Sequence, residues 1–310
     1  MSLLQQDFDR ICKLQVFQTQ AVVTGPVPTL IPIDPLGVTF SSKQLDGSPG
    51  YRIRFHVDLV TGPVPVPNPA VIHIYNLGQT SRTLVSKLNN KLILQAGYGL
   101  FPQTIFTGQI QYAVTKKEGA DYVTEIHASD GIFAFQNSVI NTSFSTAMPA
   151  AAVITTLVGA LAGAGVTPGV MTGIPKDVYN KGVVLSGKVT DQLQKICDKN
   201  NLTWTIENGL LNIVPIGGGF LPKNLVLLTE ATGLIGIPEQ REVDATGNSS
   251  LVSFRCLMNP SLGTFQKIII QSKFIPAGFF TTAKITHSGD TYTNDWYTDG
   301  ECTTDSSEPA

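Results

Sequence analysis

The densest group of side chains able to do acid–base or metal chemistry lies near the C-terminus, in HSGDTYTNDWYTDGEC. His287, Asp290, Asp295, Asp299 and Glu301 could supply a histidine base with a carboxylate partner, or a mixed metal site. One histidine among scattered acids is a weak constellation. The competing reading is a polar loop between strands with Trp296 packed under it. Two carboxylate pairs, Glu118 with Asp121 and Glu239 with Glu242, have the composition of a glycosidase pair. Such a pair must face itself across a sugar cleft. Both sit in turn-like segments, where solvated acids are the default. His56, His73, His127 and His287 are far apart, and none has a second histidine at ligand spacing on a helix.

The remaining chemistry is absent. Cys12, Cys197, Cys256 and Cys302 form no CxxC. The first three lie in apolar-periodic segments, where a reduced buried thiol is expected. The glycines from Gly159 to Gly165 have the wrong spacing for a dinucleotide fingerprint. The stretch Gly169 to Lys176, GVMTGIPK, lacks the serine or threonine of a phosphate loop. No G-x-S-x-G elbow occurs. No catalytic, cofactor-binding or metal-binding residue is assigned. The enzymatic alternative reduces to a small β-barrel hydrolase using His287 and nearby acids.

A chain of 310 residues has room for two or three domains. Charged residues make up 14%, against about 25% in typical globular chains. Two readings of that shortfall stand side by side: permanent interfaces that hide surface, or solvation by Ser, Thr, Asn and Gln. The net charge of −2 gives no bulk basic balance for nucleic-acid binding. Met1 to Arg10 has no basic start followed by an apolar core, so no signal peptide is expected. Met148 to Val166 is apolar enough to raise a membrane span. Its Ala/Gly-rich core and Ser, Thr, Gly and Pro flanks favour a buried helix from Pro149 to Ala162, with no stable membrane insertion.

The elements that must position these residues are mostly strands. Leu3 to Val16 has near-helical apolar spacing and predicts a short N-terminal helix. Val22 to Pro35 is a Pro-punctuated arm that excludes a helix or a central strand, and it needs a surface to lie on. In Tyr51 to Val60, Tyr51, Ile53, Phe55, Val57 and Leu59 alternate with polar residues, one face buried and one wet. Val71 to Gly131 reads as a strand, a short helix over Thr80 to Leu88, a strand ending at Gly97-Tyr98-Gly99, then long strands over Thr104 to Val114 and Tyr122 to Ala128. Val189 to Asn200 predicts an amphipathic helix. Leu202 to Ile213 predicts a hairpin turning at Asn208-Gly209. Further strands are expected over Leu225 to Thr229, Leu251 to Leu257, Lys267 to Ser272 and Phe279 to Thr286, with a frayed tail from Thr303.

The resulting class is mainly β (α+β), with two antiparallel β-barrel domains flanking a small α/β domain. Residues 1–37 form the helix and arm, 38–135 the first barrel, 136–216 the α/β domain, and 217–310 the second barrel and tail. The two barrels read as an internal repeat. Lys91-Leu92-Ile93-Leu94 corresponds to Lys267-Ile268-Ile269-Ile270, and Phe106-Thr107 to Phe280-Thr281. Chance similarity between β-rich segments is the competing reading.

Several motifs together resemble the baseplate hub proteins of contractile phage tails. They are Ile74 to Leu77, LQAGYG (Leu94 to Gly99), IFTGQI (Ile105 to Ile110), Ala128 to Gly131, TGLIGIPEQ (Thr232 to Gln240), SFRCLMNPSL (Ser253 to Leu262) and His287 to Trp296. The resemblance spans Val38 to Cys302. It implies two tail-tube-like barrels per chain and a homotrimer forming a pseudo-sixfold ring. That ring would join the tail tube protein to the central spike protein, with the tape measure protein and other baseplate proteins as neighbours. DNA would leave through its channel without specific binding, past a lumen of acidic and uncharged polar residues. The chain would be a structural virion protein assembled in the host cytoplasm, with no cofactor. A phage-tail-like injection or secretion system shares the fold and is the related alternative.

Overall fold

Alternation of apolar and polar residues decides most of this chain. The computed structural model describes residues 9–23, 28–44, 48–99, 101–145, 147–242, 250–273, 275 and 277–304. Strand β1 (Arg10–Phe17) replaces the expected N-terminal helix, whose first residues lie outside those described. Ile11, Cys12 and Leu14 fit a helical stripe, but Cys12, Leu14 and Val16 also alternate. Those three are fully buried between two neighbouring strands. Tertiary pairing therefore overrides an ambiguous local pattern.

The Pro-rich arm contains a small antiparallel hairpin, β2 (Thr19–Val22) and β3 (Thr29–Pro32), apart from the main sheet. Its surface is this chain's own central unit, where Leu30 packs on the apolar core and Thr29 lies against Gly163. Then follow β4 (Val38–Ser41), β5 (Ile53–Val60), β6 (Pro69–Tyr75), helix α1 (Gln79–Val85), β7 (Lys91–Tyr98), β8 (Gln103–Glu118) and β9 (Asp121–Ser129).

The central unit holds α2 (Ile132–Asn137), β10 (Val139–Phe144), β11 (Met148–Pro149), α3 (Ala150–Leu161), β12 (Thr167–Met171), β13 (Val178–Tyr179), β14 (Val183–Lys188), α4 (Val189–Lys199), β15 (Leu202–Glu207) and β16 (Leu210–Pro215). Asn208 and Gly209 both take positive φ, 55° and 76°, as a two-residue type I′ hairpin demands. Helix α3 buries Val153, Leu157 and Leu161 against Leu193 and Cys197 of α4 and Trp204 of β15. Among the described residues, no helix is long and apolar enough to cross a membrane.

The last segment contributes β17 (Leu227–Leu228), β18 (Leu234–Glu242), β19 (Ser250–Leu257), β20 (Lys267–Ile270), β21 (Gly278–Asp290) and β22 (Trp296–Thr304). β22 occupies part of the stretch read as a polar loop. Trp296 is fully buried there, edge-on to Phe55 at 5.4 Å between ring centres.

The repeat is visible in the strand order. The first module runs β5-β6-β9-β8-β7 and the second β18-β19-β22-β21-β20, the same order strand for strand. Both fourth strands carry a one-residue bulge, at Gln111 and at Ala283. With the bulges superposed, Lys91 opposite Gln109 corresponds to Lys267 opposite Thr281. The Lys-led strands therefore match as expected. The Phe-Thr match does not: Phe280 takes the place of Gly108, two residues beyond Phe106. Core volume explains the offset, because the Phe106 ring already covers the space over Gly108, where an added Cβ would lie 2.6 Å from it. The register likewise matches Ile72 opposite Ile126 with Phe254 opposite Gly300, two medium side chains against one large and one absent.

The two modules form one continuous antiparallel sheet. The C-terminal half of β21 pairs with β5 from Lys284 opposite Val60 to Asp290 opposite Arg54. One apolar core runs beneath both modules, and a second lies in the central unit.

Candidate functional site

The joint between β5 and β21 positions the most distinctive surface of the molecule. The period of two buries Ile53, Phe55, Val57 and Leu59 and turns Arg54, His56 and Asp58 outward. Register carries that outward face across the joint to Lys284, Thr286 and Ser288, then to Asp299 and Glu301, Ser253 and Arg255, and Glu239. On the other side it continues through His73, Glu125, His127, Tyr112 and Lys116. An open concavity of about 540 Å³ lies over its second-module half.

Charges on this face are mixed and largely paired. Arg255 Nε donates to Asp299 Oδ1 at 2.7 Å, Lys116 Nζ meets Glu125 Oε2 at 3.5 Å, and His56 Nε2 lies 3.2 Å from Asp58. The hydrogen bond from His127 holds the Glu125 carboxyl below its ordinary range. Tyr112 stacks on His127 at 4.3 Å.

The residues singled out for acid–base chemistry do not assemble. His287 faces the core and is fully buried, with Nδ1 2.9 Å from Thr298 Oγ1. Burial pushes its pKa down to about 4, so the ring is neutral at pH 7. Asp299 and Glu301 project from the opposite face of the sheet. Strand alternation makes that separation unavoidable, since His287 lies opposite Thr298 and Thr286 opposite Asp299. Asp290 is committed to Arg52, whose Nη2 and Nε donate to its carboxylate at 2.8 and 3.3 Å. Asp295 lies in the turn, where its carbonyl accepts from the Asp290 N–H.

The carboxylate pairs fare no better. Glu118 and Asp121 flank a tight turn, and Asp121 accepts from Asn76 Nδ2. Glu239 lies on the polar face of β18, and the side chain of Glu242 falls outside the described residues. All four cysteines are buried and unpaired. Burial raises the thiols, to about 12 for Cys197 and Cys256, so none is a ready nucleophile. Among the described residues, no cluster of His, Cys, Asp and Glu could hold a metal ion.

Sequence reasoning missed the groups that lock the units together. Arg52, ahead of β5, and Asp290, ending β21, bridge the module joint, with Arg52 stacked 4.4 Å over Tyr75. The buried Asp130, after β9, accepts from the Gly209 N–H of the central hairpin at 3.2 Å. Glu207 accepts from Thr264 N–H at 2.9 Å, tying that hairpin to the second module. Asn68 Nδ2 donates to Ile206 O at 2.8 Å. No local motif marks such long-range pairs.

The arrangement is a two-module sheet with a wet face, clamped by a third unit. No protein family and no curated protein matches the chain by sequence. Solved structures match it by shape. A tail protein from Neisseria meningitidis superposes with a TM-score of 0.57 at 9% identity, over 95% of this chain and 97% of that one. The fold is that of phage tail proteins. A 43 kDa tail protein of prophage MuSo2 from Shewanella oneidensis gives 0.55 at 8% identity, over 81% and 97%. An Escherichia coli protein, c3393, gives 0.55 at 10%, over 84% and 76%. It is described as a component of the type VI secretion system similar in structure to the bacteriophage T4 tail proteins gp27 and gp5. The hub-like resemblance and the mainly β class read from sequence thus agree with the observed fold.

Proposed function

We propose that three copies of this chain form the hub of a phage tail baseplate. Six β-modules then make a pseudo-sixfold ring. The ring joins the tail tube to the threefold spike, touches the tape measure protein and other baseplate proteins, and lets DNA pass. The role is structural and belongs to the virion. The observation that carries this reading is the repeated strand order together with the β5–β21 joint. One chain already contains two successive ring positions and the contact between them. A contact between unlike edges, applied again between chains, generates a ring when the rotation closes.

The wet face of the sheet is the surface such a ring would turn to its channel. Its cations are balanced by Asp58, Glu125, Glu239, Asp299 and Glu301, so it offers DNA no continuous basic track. It is less acidic than the sequence-based expectation, because Arg54, Lys284, Arg255 and Lys116 share it.

Native mass spectrometry of the purified chain tests the reading. The expected species is three times the 33.2 kDa chain. A monomer with hydrolytic activity that His287→Ala abolishes would replace it with the enzyme. The E. coli match favours a second reading, the hub of a secretion or injection machine. Recovery of the protein in DNA-containing particles separates the two.

A further inference from the structure

The joint inside the chain indicates how an unoccupied edge on the same chain is covered. In the second module, the half of β21 beyond the Ala283 bulge pairs with β5. The equivalent half of β8 lies beyond the Gln111 bulge. Among the described residues it pairs only with β9, since β7 reaches no further along β8 than Gln109. Its other edge has no strand partner among the described residues from Tyr112 to Glu118. In the repeat, β5 corresponds to β18, and β18 is the terminal strand at the opposite end of the sheet. These two edges are of the same two kinds that meet within the chain.

We infer that β18 of a second copy adds to the open edge of β8, reproducing the β5–β21 joint between chains. This rests on the ring reading and gives that ring its contact. The register follows from the repeat. Val57 opposite His287 becomes Gln240 opposite Thr115, and His56 opposite Ser288 becomes Glu239 opposite Lys116. Arg241 then falls opposite Val114. Opposite charges meet where His56 and Ser288 share a hydrogen bond of 3.0 Å within the chain.

The bulge in β18 between Ile235 and Glu239, with Gly236 at φ +72°, limits the pairing to Glu239 onward. Such a bulge also guards the edge against indiscriminate pairing. Helix α1 lies beside this part of β8, where Arg82 and Lys87 line a shallow concavity with Thr115, as Leu262 lies beside His287 in the second module.

Paired cysteines test the register. Thr115→Cys with Gln240→Cys, and Lys116→Cys with Glu239→Cys, place Cα atoms at antiparallel-neighbour distances of roughly 4.5–5.5 Å, within disulfide reach. By alternation one of the two pairs is the closer, non-hydrogen-bonded kind. Thr115→Cys with Glu239→Cys is the out-of-register control, whose side chains point to opposite faces. The native cysteines are buried and contribute little background.

Mild oxidation of the full chain should convert monomer bands on non-reducing gels to closed trimers for at least one in-register pair. The control should give at least tenfold less. A trimer by native mass that cross-links in neither in-register pair, or equally in the control, overturns this joint and leaves the ring standing. A monomer by native mass overturns both.

Discussion

Replacing Asp130 by asparagine should remove the pH dependence of stability that this carboxyl contributes at the clamp between the first module and the central hairpin. Asp130 is 1% exposed, and its carboxylate oxygens accept the Gly209 N–H at 3.2 Å. Burial raises its pKa from 3.8 to about 7, the neighbouring charge of Glu207 adds to that rise, and the backbone N–H groups of Gly209, Asn208 and Gly131 oppose it. The folded protein thus holds a proton there that the unfolded chain releases near pH 4. Stability is fullest below the unfolded value and is lost as pH rises through the folded value. At 1.36 kcal/mol per pKa unit the loss is about 4 kcal/mol between pH 4 and 8.

Asparagine keeps an acceptor for Gly209 and carries no charge, but leaves an amide N–H₂ to be satisfied, at a cost of about 1 kcal/mol. Asp130→Asn should therefore be about 1 kcal/mol less stable than wild type below about pH 3.5, about equal at about pH 4.5 and about 3 kcal/mol more stable at pH 8. Urea unfolding at matched protein concentration across that range reads the crossing of the two curves. Parallel curves, or a variant weaker at every pH, would refute the assignment of the buried charge.

Three further outcomes follow from the module joint. Arg52→Met leaves the buried Asp290 carboxylate without its cation and should cost about 3 kcal/mol in chemical denaturation at pH 7. Burial pushes the Asp290 pKa up, and the Arg52 hydrogen bonds, the Tyr292 N–H and the charges of Arg52 and Arg54 together more than offset it. That stabilisation is present above the ordinary carboxylate value and fades as pH falls below it, so the gap to wild type should narrow in acid. Gly289→Ala would set a Cβ 2.5 Å from the Phe55 ring and 2.6 Å from Trp296. Overpacking of this kind costs about 1–3 kcal/mol, read as a lower melting temperature with quenched or shifted Trp emission. His287→Gln should flatten the acid limb of the stability curve between pH 6.5 and 4. The neutral imbibed ring of the wild type, held down to about 4 by burial, loses about 3 kcal/mol over that interval at 1.36 kcal/mol per unit.

Where a short-range rule governs the structure, the sequence was sufficient. The alternation from Ile53 to Leu59 marks β5 with its buried face. The Asn208-Gly209 turn marks the central hairpin, and Leu193, Ile196 and Cys197 mark α4. Lys91 and Lys267 mark equivalent strands. Four features were illegible, each for a physical reason. The segment around Ile11, Cys12 and Leu14 satisfies two periods, and its neighbours β4 and β7 decide between them. β22 is rich in Asp, Glu, Gly and Thr because one face is wet and Gly300 yields its space to Phe254. The acids near His287 looked like a cluster because sequence distance is blind to which face of a strand a side chain takes. The joint of β5 with β21 links residues more than two hundred positions apart, and no local pattern encodes it.

An image of the assembled protein tests the threefold ring most directly. Electron cryo-microscopy of the purified chain should show threefold rings with six β-lobes around an open channel, the wet face of the β5–β21 sheet lining it. Isolated two-lobed monomers, or closed twofold dimers that bury the β8 and β18 edges without a channel, would contradict the account.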